Sequence, residues 1–220
     1  MHKINMKKAC LESVKIVLLC LCIFACTDFS VNPKQKEIKR PYDDMEYLFF
    51  TNISLYATVL TSVVGIVYRL TDRLKRLFEV LLSLSPVCNS VTTVVFWGLY
   101  FTKRSHIKAE EHLVPGYETW LITELSLHLF PVVLSYLEQI DVELVFSKIY
   151  YLVFVGIIIV WGTAVHIAKE YKGVFLYGFL NKYNIFERLL FFLSVFGACL
   201  FFYHMLILIN HRCAMYTKRR

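Results

Sequence analysis

Long apolar runs, separated by short polar connections, form the main pattern of the chain. Six runs approach the roughly twenty residues that a helix needs to cross a bilayer. The pattern therefore predicts an all-α fold, a polytopic membrane protein with a bundle of six transmembrane helices at residues 14–26, 47–69, 77–101, 120–137, 144–167 and 189–209. Because no connection is much longer than about twenty residues, residues 1–220 are expected to form a single integral membrane domain.

The first run is one of two weaker predictions. It follows Lys3, Lys7 and Lys8, and a charged start before a short apolar core is also typical of a secretory signal peptide. A small-residue cleavage site does not follow cleanly, since the run leads directly into Asp28. An uncleaved first span is therefore favoured over a signal peptide.

The third run is the other weaker prediction, because it contains Pro86, Asn89 and several hydroxyl side chains. A proline is tolerated in a membrane helix where neighbouring helices or polar side chains satisfy the freed backbone groups. The sequence therefore predicts a kinked, interior-facing helix here.

Composition strengthens the membrane assignment. Hydrophobic residues make up 57% of the chain, whereas soluble domains are typically about 45–50% apolar. The net charge is +7, but its basic residues are scattered over connections at both ends of the predicted helices, and nucleic-acid binding needs a continuous basic surface. We therefore expect contact with the bilayer and its anionic head groups, and no nucleic-acid partner. Dense basic clusters at residues 73–76 and 218–220 favour termini in the cytosol.

Cysteine and histidine spacing indicates neither a metal nor a cofactor. The seven cysteines form no paired CxxC motif and no Cys/His pattern of a zinc site, so most are expected to be small buried hydrophobes. A haem held by two histidines would need a facing pair, and no such pair stands out.

An ionisable pair lies within the fourth run. His128 is near the middle of this run and Glu124 is four residues earlier, so both side chains share one helix face. Ionisable groups at membrane depth are costly and are functional candidates by default. The carboxylate could orient the imidazole, which is the base-and-orienter part of a catalytic triad. The alternative is a polar pair that serves only helix packing.

A hydroxyl near the start of the second run could supply a nucleophile. Thr51 and Asn52 lie there, and the fourth run begins on the same side of the membrane. With a rise of 1.5 Å per residue, Thr51 is about 6 Å and His128 about 12 Å below that surface. These depths are compatible with a Thr51–His128 pair, for which Asn52, Thr92 or Thr93 could donate to an oxyanion.

Several segments form a recognisable set. In chain order they are the aromatic-rich residues 95–100 with Arg104, Pro115-Gly116 before a tryptophan and His128, then Glu138, Trp161, Val165-His166, and residues 173–180. Together these segments resemble the androgen-induced family of six-span membrane proteins. Without this resemblance, the aromatic cluster Phe96, Trp97, Tyr100 and Phe101 is typical of an interfacial belt.

The resemblance implies a hydrolase that uses an intramembrane threonine and a histidine to cleave esters joining a fatty acid to a hydroxy fatty acid. It further implies an internal membrane, such as the endoplasmic reticulum, or the plasma membrane. The histidine corresponds to His128, and Glu124 stands about where the family has an asparagine. The threonine corresponds to Thr51 if residues 51–55 match the family's Thr-x-x-Asn/Asp-Leu segment. Counting from Tyr47 instead places Phe49 at that position.

Other functions remain open from the sequence. A non-catalytic scaffold or binding protein of the same family would use Glu124 and His128 only for helix packing. A small transporter could use the same two groups as a proton relay, but the inverted repeat that many carriers show is not found.

Overall fold

The computed structural model describes residues 6–37, 43–102, 115–140 and 142–218. Within these ranges the chain is helical without any strand, which confirms the predicted all-α class. The α-helices of these ranges are α1 Met6–Ala25, α2 Phe50–Thr71, α3 Lys75–Thr102, α4 Leu121–His128, α5 Phe130–Leu137, α6 Ile149–Lys172 and α7 Ile185–Lys218. Arg104 of the aromatic motif lies outside the described residues.

In the described part of the chain, four helices are long and apolar enough to cross a membrane. They are Phe50–Thr71, Lys75–Thr102, Ile149–Lys172 and Ile185–Arg212. These helices cover most of the second, third, fifth and sixth predicted runs. The predicted total of six spans is not confirmed, because neither α1 nor the α4–α5 pair is among the helices that are both long and apolar enough.

The first predicted span, residues 14–26, falls mainly in α1, which is long enough but carries more charge. Lys15 is buried, with its ammonium nitrogen 3.1 Å from a Glu12 oxygen and 3.8 Å from an oxygen of Glu138, just after α5. Apolar residues on the same helix pack against α2, α4 and α5. Helix α1 is therefore joined to the bundle by both an ionic and an apolar contact.

The fourth predicted span, residues 120–137, is two short helices instead of one. Helices α4 and α5 have 8 residues each and meet at Leu129, whose φ of −121° and ψ of −50° are not helical. Pro131 explains the break, because proline has no N–H for the carbonyl of Leu127 and its ring crowds the preceding turn. Neither half alone has the length of a bilayer-crossing helix.

The long helices alternate in direction. Ser54 near the start of α2 contacts Thr92 in the second half of α3, and Tyr151 near the start of α6 contacts His204 late in α7. Helices α2, α4 and α7 begin at one end of the bundle, which we call the upper end, whereas α3 and α6 begin at the lower end. Residues 173–184, which join α6 to α7, contact the start of α2 at the upper end.

The main apolar core lies among α3, α6 and α7, with the start of α2. Its largest fully buried side chains include Tyr203, Phe78, Phe154 and Phe175. Helix α3 is the most buried of the four long helices, so the expected interior-facing position of this helix is confirmed. Pro86 lies within α3 and is itself buried.

Gly65 allows a close approach of α2 to α3. A Cβ atom at this position would lie 2.6 Å from Cε2 of Phe78, and the Phe78 side chain is almost fully buried. We expect Gly65→Ala to lower the free energy of unfolding by about 1–3 kcal/mol through overpacking, measured by thermal unfolding in detergent. Gly156→Ala in α6 is the control, because a Cβ there meets nothing within 4 Å. Equal melting temperatures for the two variants would contradict this prediction.

Candidate functional site

His128 and Glu124 form a buried pair on one face of α4. The His128 Nε2 atom lies 3.6 Å from Oε2 of Glu124, and their side chains are 8% and 5% exposed. The predicted one-turn spacing is thus realised as a direct contact. At 3.6 Å the two atoms are neighbours but are farther apart than in a hydrogen bond.

The helix break after His128 creates a second contact to this residue. Thr93 of α3 donates its hydroxyl hydrogen to the His128 carbonyl, which lies at the end of α4, where helical bonding is interrupted. Phe96, one turn further along α3, stacks on the imidazole with ring centroids 3.3 Å apart and planes 7° apart. Phe96 therefore packs on the candidate base, and this part of the predicted aromatic belt faces the interior.

Thr51 lies in the first turn of α2 and is half-buried. Its helix face also carries Ser54 and Thr58, because residues three and seven positions apart are stacked along a helix. Ser54 donates to the Thr51 carbonyl at 2.9 Å and contacts the Thr92 hydroxyl at 3.1 Å. This face of α2 is directed towards α3.

Neighbouring residues of α3 connect the two candidate catalytic regions. Thr92 contacts Ser54 of α2, and the next residue, Thr93, contacts His128 of α4. The start of α2 and the end of α4 therefore lie beside the same turn of α3. Thr51 and His128 are not hydrogen-bonded to each other in the described ranges, so their direct pairing stays a prediction.

Each proposed oxyanion donor already makes a hydrogen bond. The amide of Asn52 donates to the Glu46 carbonyl at 2.8 Å, and the Thr92 hydroxyl donates to the Cys88 carbonyl at 3.0 Å. Thr93 donates to His128. Asn52 thus holds the start of α2 against the preceding turn, and the two threonines hold α3 against its neighbours.

A buried polar cluster below this region was not predicted from the sequence. It joins α2, α3 and α5, and its six members are Ser54, Thr58, Ser85, Asn89, Thr92 and Ser135. The hydroxyl oxygens of Thr58, Ser85 and Ser135 lie 3.1–3.3 Å from one another. The Asn89 amide donates to Thr58 Oγ1 at 2.7 Å. Polar residues three, four or seven apart in the second and third runs were the available signal.

The chain matches a known protein family over most of its length. The model of the FAR-17a/AIG1-like protein family matches residues 12–211. No curated protein and no solved structure matches the chain. Within the described ranges, no group of three His, Cys, Asp or Glu side chains could hold a metal ion. With its four membrane-length apolar helices and a family match over most of its length, the chain belongs to the FAR-17a/AIG1-like family, the androgen-induced family that its motifs resemble.

Proposed function

We propose that the protein is an intramembrane hydrolase of lipid esters, with Thr51 as nucleophile and His128 as base. The observation that carries the proposal is the buried His128–Glu124 contact at the helix break. An imidazole and a carboxylate are costly among membrane helices, and such groups are functional-site candidates by default. The family resemblance suggests the substrate class, esters that join a fatty acid to a hydroxy fatty acid.

In the proposed reaction, His128 removes the hydroxyl proton of Thr51 while the threonine oxygen attacks the ester carbonyl. A hydroxyl at its ordinary pKa is a poor nucleophile and needs such a base. The tetrahedral intermediate collapses to an acyl-threonine, and the protonated imidazole returns the proton to the departing alkoxide, which leaves as the hydroxy fatty acid. Water, activated by the same imidazole, then releases the fatty acid and restores the threonine.

The geometry favours distinct roles for the two imidazole nitrogens. Nε2 is the nitrogen directed at Glu124, at 3.6 Å, so the carboxylate can orient the ring through this atom. Nδ1 is then assigned to the proton of Thr51. A contraction of the Nε2–Oε2 distance to about 2.6–3.2 Å on substrate binding would complete the base-and-orienter arrangement.

The orientation of Phe49 supports Thr51 as the nucleophile. The Phe49 ring contacts Tyr177 edge-on, with centroids 5.2 Å apart, and so packs on residues 173–184. Thr51 shares its helix face with Ser54, whose hydroxyl contacts α3 next to the residue that holds His128. These contacts support position 51 over position 49, of the two positions that the family motif allows, as the nucleophile.

Lipid tails suit the apolar surroundings of this site. Several side chains of α2 and α4 on the bundle surface are exposed and apolar, among them Ile53, Tyr56, Leu121 and Ile122. Each methylene that a substrate buries among such side chains contributes about 0.8 kcal/mol to binding. We accordingly propose that substrates enter from the bilayer of an endomembrane or of the plasma membrane.

Labelling with an alkyl fluorophosphonate tests the proposal. We expect the detergent-purified protein to form a covalent adduct, and Thr51→Ala or His128→Gln to lower the labelling rate at least about a hundredfold, since nucleophile and base act as a unit. Mass spectrometry should place the adduct on the peptide that contains Thr51.

Two matched variants control for general damage. Thr71→Ala removes an exposed threonine at the other end of the same helix, whose hydroxyl donates to the Val67 carbonyl and accepts from the Arg73 N–H. His204→Ala removes a histidine of α7. Both should label like the wild type. Labelling that survives Thr51→Ala would exclude this mechanism. A wild-type protein that is never labelled would favour the non-catalytic alternative, in which His128 and Glu124 only pack helices.

A further inference from the structure

The start of α2 is held by two aromatic residues that lie far away in the sequence. Tyr177 accepts a hydrogen bond from the Phe50 N–H at 2.7 Å, and Trp161 of α6 donates from Nε1 to the Leu48 carbonyl at 3.1 Å. The two rings contact each other edge-on, with centroids 5.9 Å apart. We call this pair the Trp161–Tyr177 clamp.

Three consecutive residues before Thr51 touch the clamp. The backbone of Leu48 is bound by Trp161, the Phe49 ring packs on Tyr177, and Phe50 is bound by Tyr177 and packs on Trp161 with centroids 4.9 Å apart. The first N–H groups of a helix have no partner within the helix. The Tyr177 hydroxyl therefore accepts the otherwise unsatisfied Phe50 N–H and holds the first turn of α2 in place.

The segment that carries Tyr177 is itself fixed to the bundle. Gly173 ends α6 with a φ of +75°, which favours glycine. Arg188 at the start of α7 donates to the Leu180 carbonyl at 3.0 Å, and its guanidinium lies 4.4 Å from the centroid of Phe175. Burial raises the pKa of Tyr177, so its hydroxyl stays neutral at physiological pH. The clamp therefore fixes the position of the start of α2.

We propose that Trp161 and Tyr177 are positioning residues for Thr51, which set the nucleophile at the depth and angle that His128 requires. The inference rests on the proposed hydrolase function and assigns a role to the segment between α6 and α7. Since Thr51 follows the clamped residues directly, loss of the Tyr177 hydrogen bond shifts the nucleophile along or around the helix. A displacement of about 1 Å is enough to lower a rate up to a hundredfold.

A Tyr177→Phe variant tests this role, because it keeps the ring and removes only the hydrogen-bonding oxygen. We expect the maximal fluorophosphonate labelling rate to fall at least about tenfold, while the probe concentration that gives half-maximal labelling stays unchanged. Hydrogen exchange of the peptide around residues 49–53 should speed up in the same variant.

Tyr203→Phe is the matched control. Tyr203 is also a buried tyrosine whose oxygen accepts a backbone N–H, that of Ser147 at 2.9 Å, and it donates to the Ser147 carbonyl at 3.2 Å. It lies near the lower end of the bundle. The Tyr203→Phe variant should lower thermal stability at least as much as Tyr177→Phe and leave the labelling rate per folded molecule unchanged.

The outcomes separate the inference from the proposed function. Wild-type labelling that Tyr177→Phe leaves unaltered overturns the positioning role alone, and so does an equal slowing in Tyr203→Phe, which would indicate general loosening. A wild-type protein without labelling overturns the hydrolase proposal and this inference together. Slowed labelling in Tyr177→Phe alone supports both.

Discussion

A Glu138→Gln variant is expected to lose about 3 kcal/mol of stability, because it leaves the buried Lys15 ammonium and the more exposed Arg69 guanidinium short of negative charge. Glu138 Oε2 accepts a hydrogen bond from Arg69 Nη1 at 2.8 Å and lies 3.8 Å from the Lys15 ammonium nitrogen. The Lys15 and Glu138 side chains are only 4% and 2% exposed. The loss falls at the lower end of the range for broken buried pairs, since Lys15 keeps Glu12 at 3.1 Å.

The measurement is a denaturant titration in mixed micelles, with Glu79→Gln as the control. Glu79 pairs with Lys75 at 3.8 Å, but both side chains are well exposed, and exposed pairs contribute about 0–1 kcal/mol. If the two glutamate variants unfold at the same denaturant concentration, the cluster of Lys15, Arg69 and Glu138 does not hold α1, α2 and α5 together.

Asn89→Leu is expected to have the second large effect on stability, a loss of about 2–3 kcal/mol. The Asn89 amide donates to the Thr58 hydroxyl and to the Ser85 carbonyl, both at 2.7 Å. Leucine would leave the buried hydroxyls of the polar cluster beside an apolar side chain, and an unsatisfied buried polar group costs about 1–3 kcal/mol. Mutual bonding of the remaining hydroxyls limits the loss, as is usual among membrane helices.

Ser83→Ala provides the comparison for Asn89. Ser83 is about equally buried in α3, but its hydroxyl donates to the Glu79 carbonyl of its own helix, at 2.9 Å. The free energy of unfolding of the Ser83→Ala variant should lie within about 0.5 kcal/mol of the wild-type value. A loss at Asn89 no greater than at Ser83 would mean that the cluster does not join α2, α3 and α5.

Hydropathy predicted the four long apolar helices that the structure shows, whereas the spans predicted at residues 14–26 and 120–137 are not confirmed. Helices α2, α3, α6 and α7 lie close to their predicted runs. Lys15 is accommodated in α1 because its ammonium group lies close to the Glu138 carboxylate. Glu138 comes more than a hundred residues later in the chain, so no local sequence pattern shows this contact. Pro131 is visible in the sequence, and its helix-breaking ring interrupts the continuous helix that the fourth run predicts.

The candidate site was predictable where it depends on local spacing. The one-turn separation of Glu124 and His128 gave the correct shared face, and the structure confirms their contact. The contacts of Thr93 and Phe96 with His128 were not predictable, because they depend on the packing of α3 on α4. The nucleophile assignment to Thr51 stays a prediction that the labelling experiment decides.

Thr51 and Arg69 lie at opposite ends of α2 and therefore in two different environments. Arg69 comes 18 positions after Thr51, which corresponds to about 27 Å of helix. An ester cleaved beside Thr51 would release both products into the leaflet that surrounds the start of α2, whereas the other leaflet meets the ionic contacts of Arg69. Such an enzyme would sample the lipids of a single leaflet, so lipid asymmetry between the two halves of the bilayer would determine which esters it encounters.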